Sequence, residues 1–106
     1  MPKYLQKVRY TQQGIRGLLE DGGSKRRDMA QAVADGLGVR LEAFYFAFGD
    51  PDAYLAVDAP DDETVTAVSL AITAAGGAVV ENVKLLEPSQ VDDATRKTVN
   101  YRPPGA

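Results

Sequence analysis

The run Phe44-Tyr45-Phe46-Ala47-Phe48 carries no charge in five consecutive residues. Side chains of a strand alternate between its two faces, so this run offers apolar groups to both. Such a strand needs cover on both sides, helices on one and something else on the other. A turn follows at Gly49-Asp50-Pro51-Asp52. Proline presets its own φ, glycine permits positive φ, and the aspartates can bond local backbone groups. Residues 53–58 then read as a strand returning antiparallel to the strand over 39–48.

The remaining elements arrange themselves around this hairpin. Residues 3–10 read as a first strand, with Tyr4, Gln6, Val8 and Tyr10 on one face and Lys3, Leu5, Lys7 and Arg9 on the other. Thr11 is placed to cap a short helix containing Ile15, Leu18 and Leu19, which Gly22-Gly23 breaks. Ser24 reads as the cap of a helix to about Leu37, with Met29, Val33 and Leu37 as its apolar stripe. Pro60-Asp61-Asp62-Glu63 opens a second long helix, its acidic residues suiting the helix dipole. Val65, Val68, Ile72 and Ala75 line its inner side, and Gly76-Gly77 ends it. Residues 78–86 read as a fourth strand. Pro88 to about Ala94 reads as one more helical turn with Ser89 as cap, and residues 96–106 as an extended tail.

This order predicts an α+β, ferredoxin-like βαββαβ fold in a single domain spanning 1–106. Two interleaved β-α-β crossovers give a four-stranded antiparallel sheet with both long helices on one face. The other face is then left bare. An apolar sheet face is rarely left in water, which predicts a sheet-to-sheet homodimer of the α/β-barrel type. Phe44 and Phe46 are the expected interface residues. From Thr64 to Ala75 the second long helix carries no charge. Leu70 on its outer side makes that surface a candidate for a second contact between copies. An alanine-rich helix of good propensity with one stray leucine is the plainer account.

Composition narrows the chemistry. The chain has 106 residues, 44% hydrophobic and 25% charged, which is ordinary globular usage and argues against disorder. It contains neither cysteine nor histidine. Disulfides, thiolate sites and the commonest general base and transition-metal ligand are thereby excluded, and haem or non-haem iron is disfavoured. No cofactor is expected. A net charge of −3 disfavours a nucleic-acid or anionic-membrane footprint. No run is long and apolar enough to span a bilayer, and Met1-Pro2-Lys3-Tyr4 leads straight into a strand, so a cytoplasmic location is expected.

The candidate site residues fall into three groups. Gln6 shares the phase of Tyr4, Val8 and Tyr10, so a buried amide there must find partners in a ligand, a water or a neighbouring strand. Glu42 and Glu81 are mid-strand carboxylates. On a dry sheet face either would have a raised pKa and could act as a general base, whereas a cross-strand ion pair is the simpler account. Tyr4, Tyr10 and Tyr45 are polar-tipped groups able to donate to a ligand oxygen. These six form the candidate ligand site. Ser24, Arg26 and Arg27 follow a glycine pair at a helix start and form a candidate anion site, with a solvated basic turn as the plainer account. Asp50 and Asp52 offer too few oxygens for a hard cation, and no metal site is expected.

The ordered set Lys3-Tyr4, Tyr10-Thr11, Gly23 with Arg26-Arg27, Glu42 through Gly49, Asp52, Asp58-Ala59-Pro60-Asp61, Ser69-Leu70 and Gly76-Gly77 resembles the GYD-domain family. The sequence departs from the Gly-Tyr-Asp signature: Gly49 and Asp52 remain, with Pro51 where the tyrosine is expected. The resemblance implies a ferredoxin-like domain similar to the dimeric α/β-barrel superfamily and carries no settled activity. The expectation is a homo-oligomeric module binding a small apolar or anionic molecule in a pocket between sheets. A cofactor-free oxygenase or isomerase and a structural assembly subunit are the alternatives.

Overall fold

The computed structural model describes residues 1–47 and 49–106. Among these lie strands β1 (Lys3–Tyr10), β2 (Arg40–Phe46), β3 (Ala53–Asp58) and β4 (Ala78–Leu85). The helices are α1 (Gln12–Asp21), α2 (Gly23–Leu37), α3 (Asp62–Ala74) and α4 (Pro88–Thr95). The four strands form one antiparallel sheet in the order β2-β3-β1-β4. The α+β ferredoxin-like expectation therefore holds. Phe48, expected in the second strand, lies outside the described residues.

Register assigns the faces. Tyr4, Gln6, Val8 and Tyr10 of β1 are paired with Val57, Leu55 and Ala53 on one side and with Lys84, Asn82, Val80 and Ala78 on the other. This face meets the helices. The core is built on it from Tyr4, Ala53, Leu55, Val57, Ala59 and Val65, with Ala30, Leu41 and Phe44 packed against them.

A β-bulge interrupts β2 between Leu41 and Ala43. Leu41 pairs with Val57 and Phe44 with Leu55, so Phe44 and Phe46 face the helices. Strict alternation would set Glu42 in phase with Phe44. The extra residue breaks that phase and leaves Glu42 beside Lys3 on the opposite face. The expected positions of Phe44 and Phe46 on the open face are corrected accordingly. That face carries Tyr45, Tyr54, Leu5, Val83 and Leu85 among the charges of Lys3, Lys7, Arg9, Asp58 and Glu81.

The caps are partly as the sequence suggests. Thr11 accepts from the Gly14 amide at 3.2 Å, and Asp61 accepts from the Thr64 amide at 2.8 Å. Ser24 does not cap α2. The N-cap is Gly22 at φ 80°, because α1 and α2 run into one another and this one residue must both close the first helix and open the second. Glu87, not Ser89, opens α4, in a capping box with Gln90.

The start of α1 is fastened to the turn between α3 and β4. The Thr11 amide donates to the Gly77 carbonyl at 3.1 Å and its hydroxyl to the Gly76 carbonyl at 2.7 Å. A Cβ on Gly14 would lie 1.8 Å from the Gly77 oxygen, so only glycine permits this approach. Beyond β4 the chain leaves the body. Every residue from Leu86 to Ala106 is exposed. The radius of gyration is 17.0 Å, against about 13 Å for a compact domain of this length. None of the helices among the described residues is long and apolar enough to cross a membrane.

Candidate functional site

Between the helix layer and the sheet lies a cleft of about 220 Å³. Its floor is Val8, Leu41, Phe44, Leu55 and Val57 of the sheet. One wall is Met29, Val33 and Leu37 of α2, and the other is Val65, Val68 and Ile72 of α3. The stripe that should close α2 onto the sheet is half open, with Met29, Val33 and Leu37 exposed at 46%, 51% and 45%. Three polar side chains interrupt the apolar lining: Gln6, Tyr10 and Arg26.

Topology places these three. α2 starts beside Phe46, whose ring lies 3.0 Å from where a Cβ on Gly23 would sit. Phe46 pairs with Ala53, and Ala53 with Val8, two residues before Tyr10. Arg26, in the first turn of α2, and Tyr10, at the end of β1, therefore share one end of the cleft. Leu37, Leu41, Val57 and Val65 make the opposite end, which is wholly apolar. Gln6 lies midway, opposite Leu55.

Gln6 is 7% exposed and heads a polar chain. Its Nε2 donates to Asn82 Oδ1 at 3.1 Å, Asn82 Nδ2 donates to Ser69 Oγ at 2.7 Å, and Ser69 Oγ donates to the Val65 carbonyl at 3.1 Å. The chain links β1, β4 and α3. Asn82 takes one N–H of the amide, which leaves the amide carbonyl and the second N–H as groups a ligand can address.

Arg26 Nη1 lies 3.7 Å from Asp21 Oδ2 and 3.7 Å from the Met29 sulfur. The first is a long ion pair and the second a weak hydrogen bond, both through Nη1, so the guanidinium keeps further N–H donors for a ligand.

The other sequence candidates go elsewhere. The Tyr4 hydroxyl donates to the Asp62 carboxylate, and this bond, with burial behind it, pushes the phenol up to about 12. Asp62 is held below the usual aspartate range by Tyr4 first and by Lys84, 3.1 Å away, second. This network fixes the start of α3 to β1 and β4. Glu42 and Glu81 lie on the open face, Glu42 beside Lys3 and Glu81 3.7 Å from Arg9. Tyr45, 71% exposed, shares that face. Of the six proposed ligand residues, the structure brings Gln6 and Tyr10 together with the cleft.

The proposed anion group divides. Arg26 lines the cleft, whereas Ser24 and Arg27 line a shallower depression backed by Phe44 and Phe46. Arg27 also pairs with Asp28 at 3.2 Å. Asp50 bonds Arg9, and Asp52 accepts from the Tyr10 amide at 2.8 Å. These two carboxylates thus anchor the 49–52 turn to β1, a longer-range role than local turn bonding. Among the described residues there is no cluster of three metal-binding side chains. The polar partners Asn82 and Ser69 were not candidates on sequence. Asn82 was legible only through its pairing with Gln6, which needs the register.

The chain matches the GYD domain family over residues 4–95, which is most of its length. It belongs to that family. No curated protein and no solved structure matches the chain.

Proposed function

For this member of the GYD domain family we propose a homo-oligomeric module that binds a small molecule in the cleft between its helices and its sheet. The observation carrying the binding half is the cleft itself: about 220 Å³, apolar throughout except for Gln6, Tyr10 and Arg26. Concave apolar sites with a few convergent polar groups are the usual form of small-molecule sites. The site expected between sheets is relocated by this reading to the helix side. Glu42 and Glu81 lie on the other face of the sheet, and no carboxylate is among the described residues lining the cleft. Acid–base chemistry there would lack its base, which favours binding over an oxygenase or isomerase reaction.

The oligomeric half rests on the arm. α4 has eight residues and no buried one. A helix that short is marginal in water without packing. Leu86, Val91, Val99 and Tyr101 are exposed along the arm. A second copy of the chain supplies cover for these residues and for the open sheet face.

Native mass spectrometry of the full chain tests both halves. The expected result is a multimer retaining a small additional mass that denaturation releases. A bare monomer overturns the proposal. Val99→Glu with Tyr101→Glu should lower the assembly state if the arm is the contact, and Leu70→Lys should do so if the uncharged face of α3 is. An unchanged mass in light scattering removes the corresponding surface.

A further inference from the structure

We propose that the ligand of this cleft is a small amphipathic monocarboxylate, bound with its carboxylate between Arg26 and Tyr10 and its apolar part toward Leu37, Leu41, Val57 and Val65. This inference rests on the reading of the cleft as a binding site and adds the chemical class and orientation of its occupant.

Charge complementarity carries the assignment. Arg26 is the one charged side chain among the described residues that line the cleft. It reaches the cleft from the first turn of α2, on the same stripe as Met29, Val33 and Leu37, so its stem continues the apolar wall and its head marks one end. A guanidinium presents paired N–H donors that match a carboxylate in two parallel bonds. Asp21 pairs with its Nη1 at 3.7 Å, a contact longer than a hydrogen bond that leaves donors for a ligand. Tyr10 at the same end offers a phenolic O–H as a further donor. One guanidinium, already paired at long range with Asp21, and one neutral donor can serve a single carboxylate but no greater negative charge. A phosphate dianion would be under-compensated there, because Arg27 and Ser24 line the separate depression.

The rest of the cleft limits the ligand's body. Beyond Gln6 the far end offers no polar side chain, so the body must be hydrocarbon, with the Gln6 amide as the one polar side chain midway among the described lining residues. A volume of about 220 Å³ is below the ~300–1,000 Å³ usual for drug-sized ligands. A medium-length alkyl chain or a single substituted ring fits that limit.

Octanoate and octan-1-ol separate the two claims, since they share the chain and differ in charge. Each is titrated into the full-length protein by calorimetry, with methyl NMR of Met29, Val33 and Ile72 locating the site. Octanoate should bind about tenfold or more tighter than octanol. Arg26→Gln should bring octanoate to the level of octanol and leave octanol unchanged. Val33→Trp, at a half-exposed position, should block both. Equal affinities in the parent protein, or octanoate binding that survives Arg26→Gln, overturn the carboxylate assignment while the cleft remains a binding site. Failure of both probes to shift those methyls, or octanoate binding that survives Val33→Trp, overturns the cleft reading together with the inference.

Discussion

α3 and α2 lie on the same face of one sheet, yet they are held to it differently. α3 buries Val65 to 4% exposure and is tied by side chains at two levels: Tyr4–Asp62–Lys84 at its start and Gln6–Asn82–Ser69 at its middle. α2 buries only Ala34 and rests on the core through Ala30, while its larger apolar residues stand half exposed over the cleft. A helix pinned by short hydrogen-bonded side chains keeps one position. A helix resting on alanines can approach or withdraw with little change in bonding, which is what a site that admits a ligand from the side requires. The cleft exists because the two halves of the helix layer are unequally fastened.

The largest expected effect breaks the close approach of α1 to the α3–β4 turn. Gly14→Ala would place a methyl against the Gly77 carbonyl, backbone against backbone, with no flexible side chain to yield. Destabilisation of about 3 kcal/mol is expected. Gly17 in the same helix has nothing within 4 Å of its virtual Cβ, and Gly17→Ala should stabilise by about 0.5–1 kcal/mol through propensity alone. Urea unfolding of both variants checks the pair. Equal effects would mean that α1 is not fastened at the α3–β4 turn.

A matched substitution on the two helices sharpens the contrast. Val65→Ala on α3 removes two buried methyls and should cost about 2 kcal/mol. Val33→Ala on α2 removes the same atoms from a half-exposed position and should stay within about 0.5 kcal/mol. Denaturant midpoints under one buffer give both values. Comparable losses would show that α2 packs on the sheet as tightly as α3 in solution, and the cleft would then be closed.

Much of this layout is legible in the sequence, and the exceptions have physical causes. Element order and the inward phase of Tyr4, Gln6, Val8 and Tyr10 follow from period-two and helical spacing, because one buried face enforces them. The placement of Phe44, Phe46 and Glu42 does not. A bulge adds one residue without any glycine or proline to mark it, and every side chain beyond it changes face. The basic run at Ser24, Arg26 and Arg27 is visible as a run, but a helix separates neighbours by about 100°, so Arg26 alone reaches the cleft. Gln6 is visible as a buried amide, whereas its partner Asn82 is fixed only by the pairing of β1 with β4. The cleft itself is a failure of α2 to close, and no residue pattern states how tightly a stripe meets its sheet.

The smallest effect concerns how α3 is fastened, read through acid. Asp58, Asp61 and Asp62 are all held below the ordinary aspartate value of 3.8, and all lie at the end of β3 or the start of α3. A carboxylate whose folded pKa is lowered contributes stability that is present above its unfolded pKa and is lost as pH falls through the folded value. For Asp62 the Tyr4 hydroxyl is the largest cause. Tyr4→Phe should therefore lower stability at pH 6, and lower it by less as the pH falls below the ordinary aspartate value of 3.8 and through the folded value. The stability curves of parent and variant should converge as the pH falls below 3.8. Curves that run parallel over that range would mean the phenol supports α3 by packing alone, and the polar tie that distinguishes α3 from α2 would then rest on Asn82 and Ser69.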